Sequence, residues 1–335
     1  MKLIIQIPCL NEEATLPTAL AALPRTLPGI DQVEWLIVND GSTDRTVEVA
    51  RAHGVDHVVS FATNQGLARA FMAGLEAAIR AGADVIVNTD ADNQYDAADI
   101  PKLIEPILAG KAEMVIGARP IDETAHFSPL KKLLQKLGSW VVRRASGTTI
   151  PDSPSGFRAL SRNAALQINV FSQYTYTLET IIQAGQKNIP ITWVPVRTNP
   201  DLRPSRLVKG LSDYVRRSVF TILRIFLLYR PLKSFFWAGT VFIVPGFLLL
   251  VRWLIFFLQG STRVRAPSLI LAAILTLIGF QTWILGFVAD LLAANRRLLE
   301  EIQLRLRRLD LQAPSGVIGP GGPSGADESN RDPRS

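Results

Sequence analysis

At 335 residues and 48% hydrophobic content, the chain is too long and too unevenly apolar for one ordinary soluble domain, with the heavier apolar load after about Phe235. Its formal net charge of +7 gathers in the second half, around Arg216, Arg217, Arg224 and Arg230 and again from Arg296 to Arg308, beside apolar runs. That pattern points to anionic lipid and away from nucleic acid as a partner. Cys9 is the single cysteine, which excludes an intrachain disulfide and favours a reducing, cytosolic setting for the soluble part. The opening "MKLIIQIPCLNEE" turns acidic after a strand-length apolar run and does not read as a signal peptide.

Taken in order, "KLIIQIP", "VEWLIVND", "HVVSF", "DVIVNTD" and "EMVIGAR" are apolar runs of strand length, most followed by a polar turn and a helical pattern. The alternation predicts an α/β fold with a mainly parallel sheet and helices on both faces. Ligands of such sheets sit beyond the carboxyl ends of the strands, where "PCLNEE", "NDGSTD" and "DADNQ" fall. Any one of these also serves as a capped polar loop. Three at successive strand ends argue for a site.

The stretch "VIVNTDADNQYD" ends a buried strand on Asp90 and Asp92, with the small Ala91 between them and the Gln94 amide nearby. These are hard oxygen donors suited to Mg²⁺ or Mn²⁺, which commonly bind through a few carboxylates plus substrate phosphates. A glycosidase pair instead needs carboxylates on opposite sides of a sugar, which this spacing does not favour.

"IPCLNEE", "IVNDGSTD", "NQGLARAFMAG", "DADNQYD", "VIGAR" and "SGFRALSR", in that order over residues 1–210, resemble the catalytic domain of family 2 glycosyltransferases. The resemblance implies a GT-A fold, Rossmann-like, and transfer from a nucleotide sugar. It implies that Pro8, Glu12, Val38 and Asp40 line the nucleoside pocket, with the Asp40 carboxylate accepting from the base. Asp90, Ala91 and Asp92 would then meet the diphosphate, and Asp90, Asp92 and Gln94 would hold the metal. Where the family often has two acids before "GS", this chain has Asn39 and Asp40.

Asp152 stands where the family carries an acid before "SGFR". It would act as a base if the acceptor is a hydroxyl, or as an orienting group if it is a phosphate, which is already anionic near neutral pH; a turn cap is the structural alternative. Arg119, at the end of "VIGAR", is expected at the donor phosphates. Arg197, Arg203 and Arg206 in "RTNPDLRPSRL" are expected to meet donor or acceptor phosphates, with Arg203 and Arg206 the chosen pair. A solvated basic linker is the plainer reading of that segment.

The second half reads as membrane-associated. An amphipathic interfacial helix is expected over 211–231, spanning helices over 235–258 and 268–289, a charged helix over 290–311 and a disordered tail over 312–335. A short linker makes the spans a hairpin, and arginine bias places the catalytic domain and both termini in the cytoplasm, pointing to a bacterial inner membrane. Arg252, inside the first span, is expected to snorkel outward. The charged helix carries a leucine stripe that suits pairing with another copy.

This plan resembles polyprenyl-phosphate glycosyltransferases. It implies metal-dependent, inverting transfer of one sugar from a UDP- or GDP-sugar to a polyprenyl phosphate. Transfer to a lipid hydroxyl is the alternative, and a non-catalytic membrane scaffold a more distant one. The Gln-x-x-Arg-Trp motif of processive synthases is missing, since Arg252–Trp253 lies in a span without the glutamine.

Overall fold

The computed structural model describes residues 1–120, 129–170, 176–200, 220, 224, 231–259 and 266–312. Strands β1 (Lys2–Cys9), β2 (Gln32–Asn39), β3 (His57–Ser60), β4 (Val85–Asn88), β5 (Met114–Ala118), β6 (Arg158–Ser161) and β7 (Ile191–Pro195) form one sheet in the order β3, β2, β1, β4, β6, β5, β7. Pairing is parallel except at β6, which runs antiparallel between β4 and β5.

Strand alternation builds a core on each face. In β1, Ile4 packs on one side with Phe71 and Leu75. Leu3, Ile5 and Ile7 pack on the other with Ile100 and Leu103. Each such fully buried side chain contributes roughly 1.5–3 kcal/mol. Helices α1 (Leu16–Ala22), α2 (Thr46–Ala52), α3 (Leu67–Arg80), α4 (Ile100–Leu108), α5 (Pro129–Ser146), α6 (Arg162–Gln167) and α7 (Thr177–Gln186) complete the layers. In α3 the buried residues Ala68, Phe71, Leu75, Ala78 and Ile79 recur at helical spacing and turn one stripe to the sheet. A Cβ on Gly74 of that helix would stand 2.5 Å from the Gln6 side-chain oxygen, so glycine permits this close approach.

Two further helices, α8 (Pro231–Leu258) and α9 (Ala266–Gln312), are long and apolar enough to cross a membrane. They pack antiparallel along small residues. Gly239 and Gly279 face each other so closely that a Cβ on either would lie 2.7 Å from the other's carbonyl oxygen. Trp283 donates its indole N–H to the Phe236 carbonyl at 3.0 Å and stacks on the Phe236 ring. Most large side chains on the hairpin's outside, such as Trp237, Phe247 and Leu258, are exposed, as lipid-facing residues are.

Two features differ from the sequence expectation. The second span and the charged helix are one continuous 47-residue helix, α9, because no glycine or proline interrupts the chain at Ala289. That charged part also lies against the catalytic domain. Of the interfacial helix expected over 211–231, only Phe220, Arg224 and Pro231 are described; the tail from residue 313 is outside the described residues.

Candidate active site

The candidate site follows the carboxyl edge of the parallel strands. Pro8 and Val38 are register neighbours at the ends of β1 and β2, both buried. Beyond β1, Asn11 turns the chain at φ 54°, a left-handed conformation that asparagine tolerates, and its Oδ1 accepts from the Thr43 N–H at 2.8 Å. Buried Glu12 follows, donating its N–H to Thr46 Oγ1 at 2.9 Å and accepting from Thr15 Oγ1 at 2.6 Å.

Asp40 is buried, and its two oxygens accept from the backbone N–H groups of Gln65 at 2.7 Å and Gly66 at 2.9 Å. The carboxylate therefore anchors the turn into α3. A carboxylate has about four acceptor sites, so two hydrogen bonds leave capacity for a ligand. Asn39, at the first of the two positions before Gly41 where the family often has acids, accepts from the Ser42 N–H at 2.9 Å and closes the Asp40–Gly41 turn.

Asp90 stands where β4 leaves the ladder. Burial and the neighbouring Asp92 carboxylate lift its pKa to about 7, against the pull of Arg119 and Arg158. Across from it is Gly156, where a Cβ would lie 2.9 and 3.0 Å from the two Asp90 oxygens and 3.1 Å from the Tyr176 hydroxyl. Only a residue without a side chain leaves those groups undisturbed. Asp92 accepts from the Gln94 N–H at 3.2 Å, while the Gln94 carbonyl accepts from Asn199 at 2.9 Å. Ala91 is buried in the core beneath them.

A polar network fixes this corner. Asn88 accepts from the Gln6 side chain at 2.8 Å and approaches the Gly156 carbonyl and the Tyr176 hydroxyl, both at 2.9 Å. Tyr95 accepts from the Gly156 N–H at 2.9 Å and stacks on Phe157. Arg158 is fully buried and donates to the Thr177 carbonyl at 3.3 Å, to the Thr180 hydroxyl and to the Ser155 carbonyl. Sequence reasoning did not assign Asn88, Tyr95, Gly156, Arg158 or Tyr176 to the site. The motif "SGFR" held the usable signal for two of them.

Asp152 is fully buried and meets Arg119 as a bidentate pair, Nε at 2.8 Å and Nη2 at 3.1 Å, with the Arg119 N–H adding a third contact at 3.2 Å. The arrangement holds the guanidinium at the end of β5, 6.0 Å above the Tyr95 ring. Arg197 departs from the expectation of a phosphate ligand: its backbone N–H and its guanidinium bind Asp99, at 2.7 Å and 3.0 Å, and the guanidinium also meets Asp96 at 3.0 Å. Arg203 and Arg206 lie outside the described residues.

Among the described residues, no three His, Cys, Asp or Glu side chains form a self-sufficient metal cage. What the corner offers is a pair of carboxylates whose mutual repulsion a divalent cation would relieve. That donor set fits a hard cation completing its shell from phosphates and water.

Residues 4–168 match the family model described as glycosyl transferase family 2. An undecaprenyl-phosphate mannosyltransferase of Micrococcus luteus is 31% identical over 222 residues, which cover 63% of this chain and 89% of that protein. An uncharacterised glycosyltransferase of Mycobacterium tuberculosis is 30% identical over 220 residues, covering 65% and 94%. The chain belongs to glycosyl transferase family 2. A UDP-N-acetylglucosamine–dolichyl-phosphate N-acetylglucosaminyltransferase of Methanococcus voltae is 30% identical over 217 residues, covering 57% and 83%. The GT-A-type fold of this glycosyltransferase is shared with glucosyl-3-phosphoglycerate synthase of Mycobacterium tuberculosis, solved with Mn²⁺, UDP and glucosyl-3-phosphoglycerate. The TM-score is 0.51 at 20% identity, over 68% of this chain and 78% of that one.

Proposed function

We propose that this glycosyltransferase is an inverting hexosyltransferase moving one sugar from a UDP- or GDP-sugar to a polyprenyl phosphate. The observation that carries the proposal is the union, on one chain, of the Asp90–Asp92 corner with a membrane-type hairpin whose second helix continues onto the catalytic domain. Relatives named for undecaprenyl-phosphate and dolichyl-phosphate transfer support it.

In this reading Pro8, Glu12, Val38 and Asp40 bound the nucleoside, and Asp90, Ala91 and Asp92 border the diphosphate. Asp90, Asp92 and Gln94 would hold Mg²⁺ or Mn²⁺, which when bound neutralises charge on the departing diphosphate. Arg119, held by Asp152, directs a fixed guanidinium at the donor phosphates. An oxygen of the acceptor phosphate forms the bond to the anomeric carbon as the bond to the nucleoside diphosphate breaks, and the leaving group takes the electron pair. Attack from the far face inverts the centre. A phosphate monoester has a second pKa of about 6, so no side chain need remove a proton. Asp152, fully engaged by Arg119, then serves as an orienting group. Arg203 and Arg206 are proposed as ligands of the acceptor phosphate.

We also assign residues 1–210 to the catalytic domain and 235–258 and 268–289 to the spans, with the catalytic domain and both termini on the cytoplasmic side. The test is a donor panel of UDP- and GDP-sugars, with the purified protein in lipid discs and polyprenyl phosphate as acceptor, read as release of UDP or GDP together with glycolipid formation. One donor supporting both products is the expected result. Hydrolysis without glycolipid, or no turnover with any donor, contradicts the proposal.

A further inference from the structure

We infer that the part of α9 beyond its apolar stretch is a rigid strut that turns the carboxyl edge of the sheet toward the bilayer and sets its height. Helix α7 spans the domain from one edge of the sheet to the other. Just before its first turn, Tyr176 reaches Asn88 and Gly156 at the site edge. Just after its last turn, the chain runs through Lys187 into β7, whose Ile191 pairs with Met114 at the start of β5, the opposite edge. Thus α7 runs from the site edge to the far edge.

Helix α9 follows the same course. Arg296 meets Glu179, in the first turn of α7, at 3.3 Å. One turn later, Glu300 meets Lys187, just past the end of α7, at 3.1 Å. Farther along, Gln303 bonds Asn169 and Arg307 donates to the Ile168 carbonyl at 3.3 Å. Arg296 and Glu300 are themselves paired at 2.9 Å, so Glu179, Arg296, Glu300 and Lys187 form a chain of alternating charge. Glu179 and Glu300 are buried to less than a tenth of their exposed area, which makes these pairs less screened than surface ones.

The polarity follows. The apolar part of α9 precedes Arg296, so it leaves the domain on the site side. From Ala289 to Arg296 is seven residues, about 10 Å of helix. An α-helix without a break transmits that spacing rigidly. The site edge is therefore held within reach of a headgroup, and the far edge is turned away.

The test has one arm that does not depend on activity. In a Cys9→Ser background, fluorophores are attached at Ala62→Cys, beyond the site-edge end of β3, or at Lys111→Cys, before β5 at the far edge. Energy transfer to a headgroup-labelled lipid in vesicles is then measured. Transfer is expected to be stronger from position 62 than from position 111. Arg296→Glu should shrink that difference, as should Lys187→Glu, which lies at a half-exposed edge and guards against misfolding of the first variant. Equal transfer from the two positions in the unaltered strut, or a difference that survives both substitutions, overturns the inference.

The second arm rests on the proposed acceptor. Arg296→Glu should lower the rate on membrane-embedded long-chain polyprenyl phosphate about tenfold, the scale of coupling between contacting charges, and leave the rate on a short, water-soluble isoprenyl phosphate unchanged. Equal loss on both acceptors contradicts a strut. If the parent protein glycosylates neither, the proposed function fails, while the energy-transfer arm still decides the orientation.

Discussion

Asp152 holds Arg119 with both carboxylate oxygens, at 2.8 Å and 3.1 Å, in a pocket where Asp152 has no solvent exposure. A pair so placed is costly to break on one side only. Asp152→Asn should keep part of the hydrogen bonding but leave the buried guanidinium uncompensated, a loss of up to about 3–5 kcal/mol. The melting temperature of the variant checks this, and Arg119→Lys should fall too, because an ammonium cannot reproduce the bidentate geometry. A melting temperature unchanged in both would remove the pair's structural role.

Gly156 leaves room for the Asp90 carboxylate. In Gly156→Ala, a Cβ at 2.9 Å from Asp90 Oδ2 must push that oxygen or the β6 entrance by several tenths of an ångström. Misplacement of a reacting group on this scale costs on the order of tenfold to a hundredfold in rate. Turnover should fall while far-ultraviolet circular dichroism stays unchanged; full activity would place Asp90 away from the chemistry.

The pKa of about 7 at Asp90 has a definite sign. The folded state holds this proton more tightly than the unfolded chain, whose carboxyl titrates near the ordinary value of about 3.9. Stability of the metal-free protein should therefore decline as pH rises between these two values, and Asp90→Asn should be the more stable protein at pH 8 in chelator. Divalent metal requires the ionised carboxylate, so its apparent affinity should rise with pH and level off above about 7. Melting curves with and without Mn²⁺ across this range check both slopes.

The apolar hairpin depends on a close approach of backbones. Gly279→Leu would drive a side chain into Ile243 and the Gly239 carbonyl, the neighbours of its ideal Cβ at 2.4 and 2.7 Å. Small residues of this kind let helix backbones approach closely enough for the van der Waals packing that helps hold helices together in lipid. A disulfide engineered across the seam should form readily in the parent and poorly in this variant.

Much of this was legible in the sequence, for physical reasons. Strands β1, β2 and β4 are buried on both faces, so they read as apolar runs, and Asp40, Asp90 and Asp92 read as polar breaks at their ends. Strand β6 has four residues and owes its antiparallel place to partners on β4 and β5, which no local pattern reveals. The Asn88–Gly156–Tyr176 cluster joins residues 68 and 88 positions apart, and Arg296 meets Glu179 across 117 positions. Periodicity carries no trace of such contacts. Arg197 looked like a phosphate ligand because Asp99, which binds it, lies 98 positions away.

Acceptor choice separates transfer to a lipid phosphate from transfer to a lipid hydroxyl. The initial rate of sugar transfer should be measured side by side on polyprenyl phosphate and on the matching polyprenol, for the parent protein, Asp92→Asn and Asp152→Asn. General-base catalysis is worth about 100- to 10,000-fold, and a phosphate acceptor does not need it. The expected result is transfer to the phosphate alone, a fall of orders of magnitude in Asp92→Asn, a smaller fall in Asp152→Asn, and a declining rate below about pH 6 as the acceptor protonates. Transfer to the alcohol at a rate equal to or above that on the phosphate, with near-complete loss in Asp152→Asn, would contradict it and make Asp152 the base for a hydroxyl acceptor.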